Sequence, residues 1–298
     1  MKLPESDAFG AYHPVTLFFY FAGLILITIF TVNPLMLSIA LLGAVSYCVY
    51  IEKGRNLKDD LLFYIPMFIL VSVTNPLFSH NGVTPLFFMN GNPVTLEAIY
   101  YGVNIALLLA AVAFWCRAYS KTVTEDKFLF LFSKTLPKTA LVISMAIKFI
   151  PILKRQAKRI SSAQKAMGLY SSKSYVDKLR SAVRVFSALV TWSLENAVDT
   201  ARSMRARGYG LKGRKSFSLF KFSVRDGVMT AVCAVIFTVI LFGFRSGAVH
   251  FAFYPSMSRI PLTPGAVIVY VSYGAAAFLP FISEIKESLK WKYYISKI

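Results

Sequence analysis

The chain has 298 residues, of which 56% are hydrophobic and 16% charged, and its formal net charge is +19. A soluble domain of this size would carry about a quarter charged residues, and a chain this apolar cannot cover itself with polar surface, so lipid is the expected solvent. The charge is concentrated: between Arg117 and Arg225 lie 23 Lys or Arg and five acids, so this one stretch holds +18.

In chain order, Met1–Gly10 does not read as a cleavable signal, because the apolar run that follows it is of full spanning length. Apolar runs occupy 15–32, 35–51, 61–78, 95–116, 227–244 and 262–282. Each is close to the roughly 20 residues that cross a hydrocarbon core of about 30 Å. Asn33-Pro34 leaves almost no loop, so the first two spans should form a tight hairpin. Segment 52–60 carries Lys53, Arg55 and Lys58, whereas 76–95 has no Lys or Arg. Placing 52–60, 117–225 and 283–298 on the cytoplasmic side satisfies the positive-inside bias. The expected fold is therefore all-α and polytopic, with about six transmembrane helices and both termini inside.

Three blocks follow. Residues 1–118 hold spans one to four, 119–225 a basic cytoplasmic helical region, and 226–298 the last two spans and a cytoplasmic tail. Within the first block, 83–95 has apolar residues on both sides of Asn90-Gly91, which predicts a small extracellular β-hairpin. It could contact a neighbouring subunit or tie spans three and four together.

The basic block reads as amphipathic helices. Leu153, Ala157, Ile160, Ala163 and Met167 recur at helical spacing, opposite Lys154, Arg155, Lys158, Arg159 and Lys165. The apolar stretch 136–153 before it suits a re-entrant or interfacial helix in preference to a seventh span. A second stripe runs Leu179, Val183, Phe186, Val190, Leu194, Ala197, Ala201 and Met204. Both helices stop at a small-x-Gly tripeptide, Ala166-Met167-Gly168 and Ala206-Arg207-Gly208. Glycine is the usual residue just past a helix end. Arg202, Arg205 and Arg207 there complement the negative end of the helix dipole, which alone would account for one or two of them. The matched endings suggest a pair of equivalent docking points.

Several chemistries are excluded. Asp59-Asp60 and Glu125-Asp126 read as solvated charges at span ends. His13, His80 and His250 are far apart, and Cys48, Cys116 and Cys233 show no CxxC, so no metal site is expected. Gly208-x4-Gly213 followed by Arg214-Lys215-Ser216 resembles a phosphate loop, but the Lys is displaced and a helix precedes it instead of a strand. No catalytic group and no cofactor of its own are expected. The basic block could bind nucleic acid, be drawn to anionic lipid or mark the cytoplasmic side; the flanking apolar spans favour the last two, and nucleic-acid binding lacks a motif to go with the charge. A stand-alone secondary transporter predicts midplane charges that are nearly missing. A lipid-directed enzyme predicts clustered His, Asp or Glu. A membrane interaction protein without a transport role stays compatible with the composition.

The run from Glu195 through Ala201-Arg202-Ser203-Met204-Arg205-Ala206-Arg207-Gly208-Tyr209-Gly210 resembles the signature of the transmembrane T component of energy-coupling factor transporters, the EcfT/CbiQ family. The resemblance extends to Ile150-Pro151 with the helix ending at Gly168, and to the C-terminal Trp291–Ile298. It implies a non-catalytic scaffold in a prokaryotic cell membrane, partnered by two ABC-type ATPases that bind the ATP and by a small substrate-binding membrane subunit (S component), for uptake of a vitamin or metal ion. It also implies that Ala206, Arg207 and Gly208 seat in one ATPase and Ala166, Met167 and Gly168 in the other. Arg205, Arg202 and Lys165 would support them. Met167 departs from the family pattern, which has Arg there. The stripe Leu179, Val183, Phe186, Val190, Leu194 and Met204 would pack the coupling helices together or against the S component.

Overall fold

The computed structural model describes residues 8–54, 57–79, 81–89, 92–133, 136–168, 175–211 and 220–295. Its described residues form nine helices and one two-stranded hairpin, in two compact units. The first unit comprises residues up to Glu125 and from Phe220 onward; the second is Asp126–Leu219.

The membrane unit holds α1 (Pro14–Phe30), α2 (Pro34–Glu52), α3 (Leu57–Phe78), α4 (Leu96–Thr122), α8 (Val224–Arg245) and α9 (Pro264–Ile295). Their first residues follow capping rules. Pro14, Pro34 and Pro264 open three of them, where the missing N–H costs nothing. Asn33 and Thr95 cap α2 and α4 through their side chains. Ser223 and Asp226 form a reciprocal capping box at α8. Helices α2, α4, α8 and α9 are long and apolar enough to cross a membrane; α1 and residues 62–78 of α3 are shorter apolar helices. The chain is an all-α polytopic membrane protein. α4 runs to Thr122, six residues beyond the apolar run seen in the sequence.

Packing relies on small residues and aromatic rings. Gly43 of α2 lies so close to α9 that an added Cβ would sit 2.9 Å from the Ala277 carbonyl oxygen. Close backbone approach of this kind supplies dispersion where lipid offers no hydrophobic drive. Phe9, Tyr20, Phe21, Tyr47 and Trp115 form a buried edge-to-face cluster among α1, α2 and α4. Two of the buried phenols are bonded across helices: Tyr20 donates to the Ala276 carbonyl at 2.7 Å, and Tyr273 Oη lies 2.7 Å from Thr28 Oγ1.

Polar contacts mark the two ends of the bundle. At one end Asn33 donates to Val249 O and Tyr270 Oη, and Asn104 to Val32 O. The hairpin, β1 (Pro85–Met89) with β2 (Asn92–Thr95), belongs there; Glu97 accepts from Thr84, and Asn90-Gly91 lies outside the described residues. With only two strands both are edges, so Pro85 and Pro93 deprive no inner ladder.

The other end carries buried acids that the sequence left unassigned. Phe9 N donates to Glu284 at 2.8 Å and His13 N to Asp226 at 2.8 Å, tying the segment before α1 to α9 and α8. Arg117 of α4 meets Glu52 of α2 through Nε (3.0 Å) and Nη2 (2.6 Å), and Asp60 of α3 through Nη1. Lys121 lies 3.7 Å from Glu52. Asp60 is thus no solvated boundary charge: its side chain is 15% exposed and that of Glu52 9%. Three carboxylate–cation contacts reaching α2, α3 and α4 compensate the desolvation that isolated acids would suffer. The Asp59 side chain lies outside the described residues.

The second unit contains α5, which spans the boundary (Glu125–Ser133), α6 (Pro137–Ala166) and α7 (Tyr175–Ala206). The interfacial stretch expected at 136–153 and the amphipathic helix after it are one continuous helix, with Pro151 in its interior. Residues 212–219, which hold the second half of the phosphate-loop-like segment, lie outside the described residues, as do 296–298.

Candidate docking site

α6 and α7 pack on one another, and their contact is anchored by Phe149 and Trp192, whose rings stack at 6.0 Å with 4° between planes. On α7 the covered positions are Ser181, Val185, Leu189, Trp192 and Asn196, spaced by three or four residues. This corrects one expectation. Leu179, Val183, Phe186, Val190 and Leu194 do not hold the two helices together; they are exposed, Leu179 at 68% and Phe186 at 67%. They lie on the opposite side of α7 from Val185 and Leu189, because two residues turn a helix by about 200°. Met204 is half-buried.

The two helix ends are built alike. In α7 the N–H of Gly208 donates to Arg205 O at 2.9 Å and that of Tyr209 to Met204 O at 3.0 Å. This pair of bonds is a Schellman closure, with Arg207 as C-cap and Gly208 in the left-handed conformation at φ 79°. In α6 the N–H of Gly168 donates to Lys165 O at 3.0 Å, Met167 is the C-cap, and Gly168 has φ 74°. Each tripeptide therefore places alanine in the last helical turn, one long side chain at the cap and glycine just past it. Met167 is 67% exposed, and Arg207 is exposed. An added Cβ at Gly168 would meet nothing within 4 Å, and one at Gly208 only the Leu211 side chain. Backbone conformation, not crowding, requires glycine at both sites.

Arg202 lies 3.8 Å from Asp199 one turn back, an exposed pair of little energetic weight. Arg205 is exposed in the last turn of α7, and Lys165 is exposed in that of α6.

The separation of the two ends follows from chain length. From the Phe149–Trp192 contact, α6 runs about 26 Å to Ala166, and α7 begins about 26 Å before it at Tyr175. The chain joining Ala166 to Tyr175 reaches at most about 32 Å. Those two arms can therefore diverge by no more than about 75°, and the outgoing arm of α7 points away from the end of α6. The caps at Met167 and Arg207 then lie about 39 to 50 Å apart for straight helices, on opposite ends of the pair.

Among the described residues no group of three or more His, Cys, Asp or Glu could hold a metal ion. The arrangement presents two mechanically linked, exposed helix tips, one cationic and one thioether, and an unpaired apolar stripe between them.

The family model described as CbiQ, cobalt transport protein, matches residues 12–219. The energy-coupling factor transporter transmembrane protein EcfT of Listeria innocua is 34% identical over 109 residues, 36% of this chain and 41% of that protein. That of Brevibacillus brevis is 33% identical over 103 residues, 34% of this chain and 39% of that protein. The Streptococcus equi protein of the same name is 25% identical over 241 residues, 69% of this chain and 89% of its own length. The chain thus spans less than half of the first two relatives and most of the third.

Proposed function

Since this chain belongs to the CbiQ family of membrane transport components, we propose that it is the energy-coupling scaffold of an ATP-driven importer. On this reading it crosses a prokaryotic plasma membrane six times, with both termini in the cytoplasm. It performs no catalysis and holds no cofactor; two ABC-type ATPases bind the ATP. A small S component binds the cargo, a vitamin or a metal ion.

The observation that carries the reading is the pair of helix ends that each close on a left-handed glycine bonded back to the last turn, on two helices joined by one stacked crossing. A single partner site would need one such end; two such ends suit two ATPase subunits side by side. At one tip Ala206 and Gly208 let the backbone approach a groove, and Arg207 supplies a charge-assisted bond to a carboxylate there. At the other, Met167 between Ala166 and Gly168 packs in an apolar groove, where its flexible thioether adapts to shape. Arg205, Arg202 and Lys165 surround the tips with positive charge. When ATP draws the ATPases together, their grooves carry the tips, and α6 and α7 pivot about Phe149–Trp192. The exposed stripe of Leu179, Val183, Phe186, Val190 and Leu194 passes that motion to the S component.

The test is co-purification of ATP-binding-cassette subunits with the full chain in mild detergent. Arg207→Glu should weaken docking at that tip at least tenfold, the effect of losing a charged hydrogen bond of about 1.5–3 kcal/mol, so that recovery falls from two ATPases per chain to about one. Arg184→Glu, an equal charge change on the same helix, should leave recovery near that of the parent. Equal losses in both would reduce the contact to general electrostatics and sink the assignment of Arg207.

A further inference from the structure

α6 is the one long helix of the second unit that contains no acid: seven Lys or Arg stand against none between Pro137 and Ala166. Four of them, Lys154, Arg155, Lys158 and Arg159, are exposed within two turns, and none pairs with a carboxylate among the described residues. A protein rarely leaves such a patch uncompensated unless something outside the chain neutralises it, because like charges one turn apart repel.

The spacing shows what the patch adjoins. Ile143, Ile150, Lys154 and Lys158 succeed one another by seven, four and four residues and share one face. Ile143 and Ile150 are exposed there, at 48% and 62%. The stripe is therefore apolar along its first two turns and cationic along the next two. Just upstream, α5 follows α4 after only two residues and bears exposed Phe128 and Phe132. α4 is itself a membrane-spanning candidate.

We infer that α6 carries an anionic-phospholipid site: Lys154, Arg155, Lys158 and Arg159 bind headgroup phosphates while Ile143 and Ile150 seat in the acyl boundary. An amphipathic helix of this pattern settles about 5–10 Å into the headgroup layer by its apolar side. Each cation near an anionic surface multiplies the local attraction about fivefold, and long Lys and Arg stems reach headgroups while their methylenes cover lipid. An acidic protein would satisfy the charges but not the exposed isoleucines in line with them; a lipid surface satisfies both. The site lies about two to four turns before the Met167 tip on α6 and operates in the chain alone.

The full chain is reconstituted into nanodiscs of phosphatidylcholine containing a minority of phosphatidylglycerol, then extracted in mild detergent. Lipids retained by the protein are counted by mass spectrometry. Phosphatidylglycerol should be enriched over the nanodisc bulk by about threefold or more, and high salt should diminish the enrichment. Replacing all four residues by Gln should return the ratio to bulk. The charge-conserving Lys154→Arg/Lys158→Arg variant should keep the enrichment, which separates charge from misfolding. No enrichment in the parent, unchanged enrichment in the Gln variant, or equal loss in the charge-conserving one would each overturn the site. Lost recovery of a protein partner with phosphatidylglycerol enrichment unchanged would assign the face to that partner instead.

Discussion

Arg117 gives the sharpest test of how the membrane unit is held together. Replacing it with Met keeps length and apolar stem but removes two bonds to Glu52 and one to Asp60. Two carboxylates, 9% and 15% exposed, would then face each other with only Lys121 at 3.7 Å for compensation. Breaking a buried pair costs about 3–5 kcal/mol. Because 21% of the Arg117 side chain remains in contact with solvent, the figure is discounted to about 2 kcal/mol. Unfolding in mixed micelles titrated with a denaturing detergent reads this out. Combining Arg117→Met with Glu52→Gln and Asp60→Asn should recover at least half the loss, since the stranded charges go with their partner. A loss below about 0.5 kcal/mol, the value of an exposed ion pair, would show that the cluster is solvated and does not fasten α2, α3 and α4.

Other changes act through backbone geometry. An added Cβ at Gly102 of α4 would lie 2.5 Å from the Ser72 carbonyl oxygen of α3, a group denied its helical donor by Pro76. Gly102→Ala should therefore force α3 from α4 and cost about 2 kcal/mol or more in the same unfolding assay. Gly208→Ala and Gly168→Ala impose about 1–2 kcal/mol of left-handed strain each. Because both tips are exposed, the strain should fray the last turns, seen as faster amide exchange around 204–209 and 164–168, with little change in global unfolding. Trp192→Ala removes the stacked crossing; it should speed proteolysis within 126–211 severalfold while leaving the membrane helices resistant.

Much of this architecture is legible in the sequence because its signals are local. Pro14, Pro34 and Pro264 announce helix starts, and Gly168 and Gly208 announce ends. The hairpin signal at Asn90-Gly91 falls between two strands in register from Phe87↔Val94 to Met89↔Asn92. What escaped is non-local or ambiguous. Arg117 lies 57 and 65 positions from Asp60 and Glu52, and no spacing rule links them. The buried roles of Asp226 and Glu284 likewise depend on a segment more than 200 positions away. α7 carries two apolar faces, one through Leu179 and Val183 and one through Val185 and Leu189, and periodicity alone does not say which its own chain covers. α5 is nine residues long, too short for a helical period to stand out. The equivalence of the two tips was readable as a repeated tripeptide, whereas their separation required the Phe149–Trp192 contact.

The central claim is that one chain presents two docking points at once, and the mass of the intact complex decides it. Native mass spectrometry of the assembly purified through this chain should give one copy of it with two ATP-binding-cassette subunits. Arg207→Glu should convert most of it to species holding a single ATPase. A complex that never exceeds one ATPase per chain, or that keeps both when Arg207 is reversed, would contradict the account.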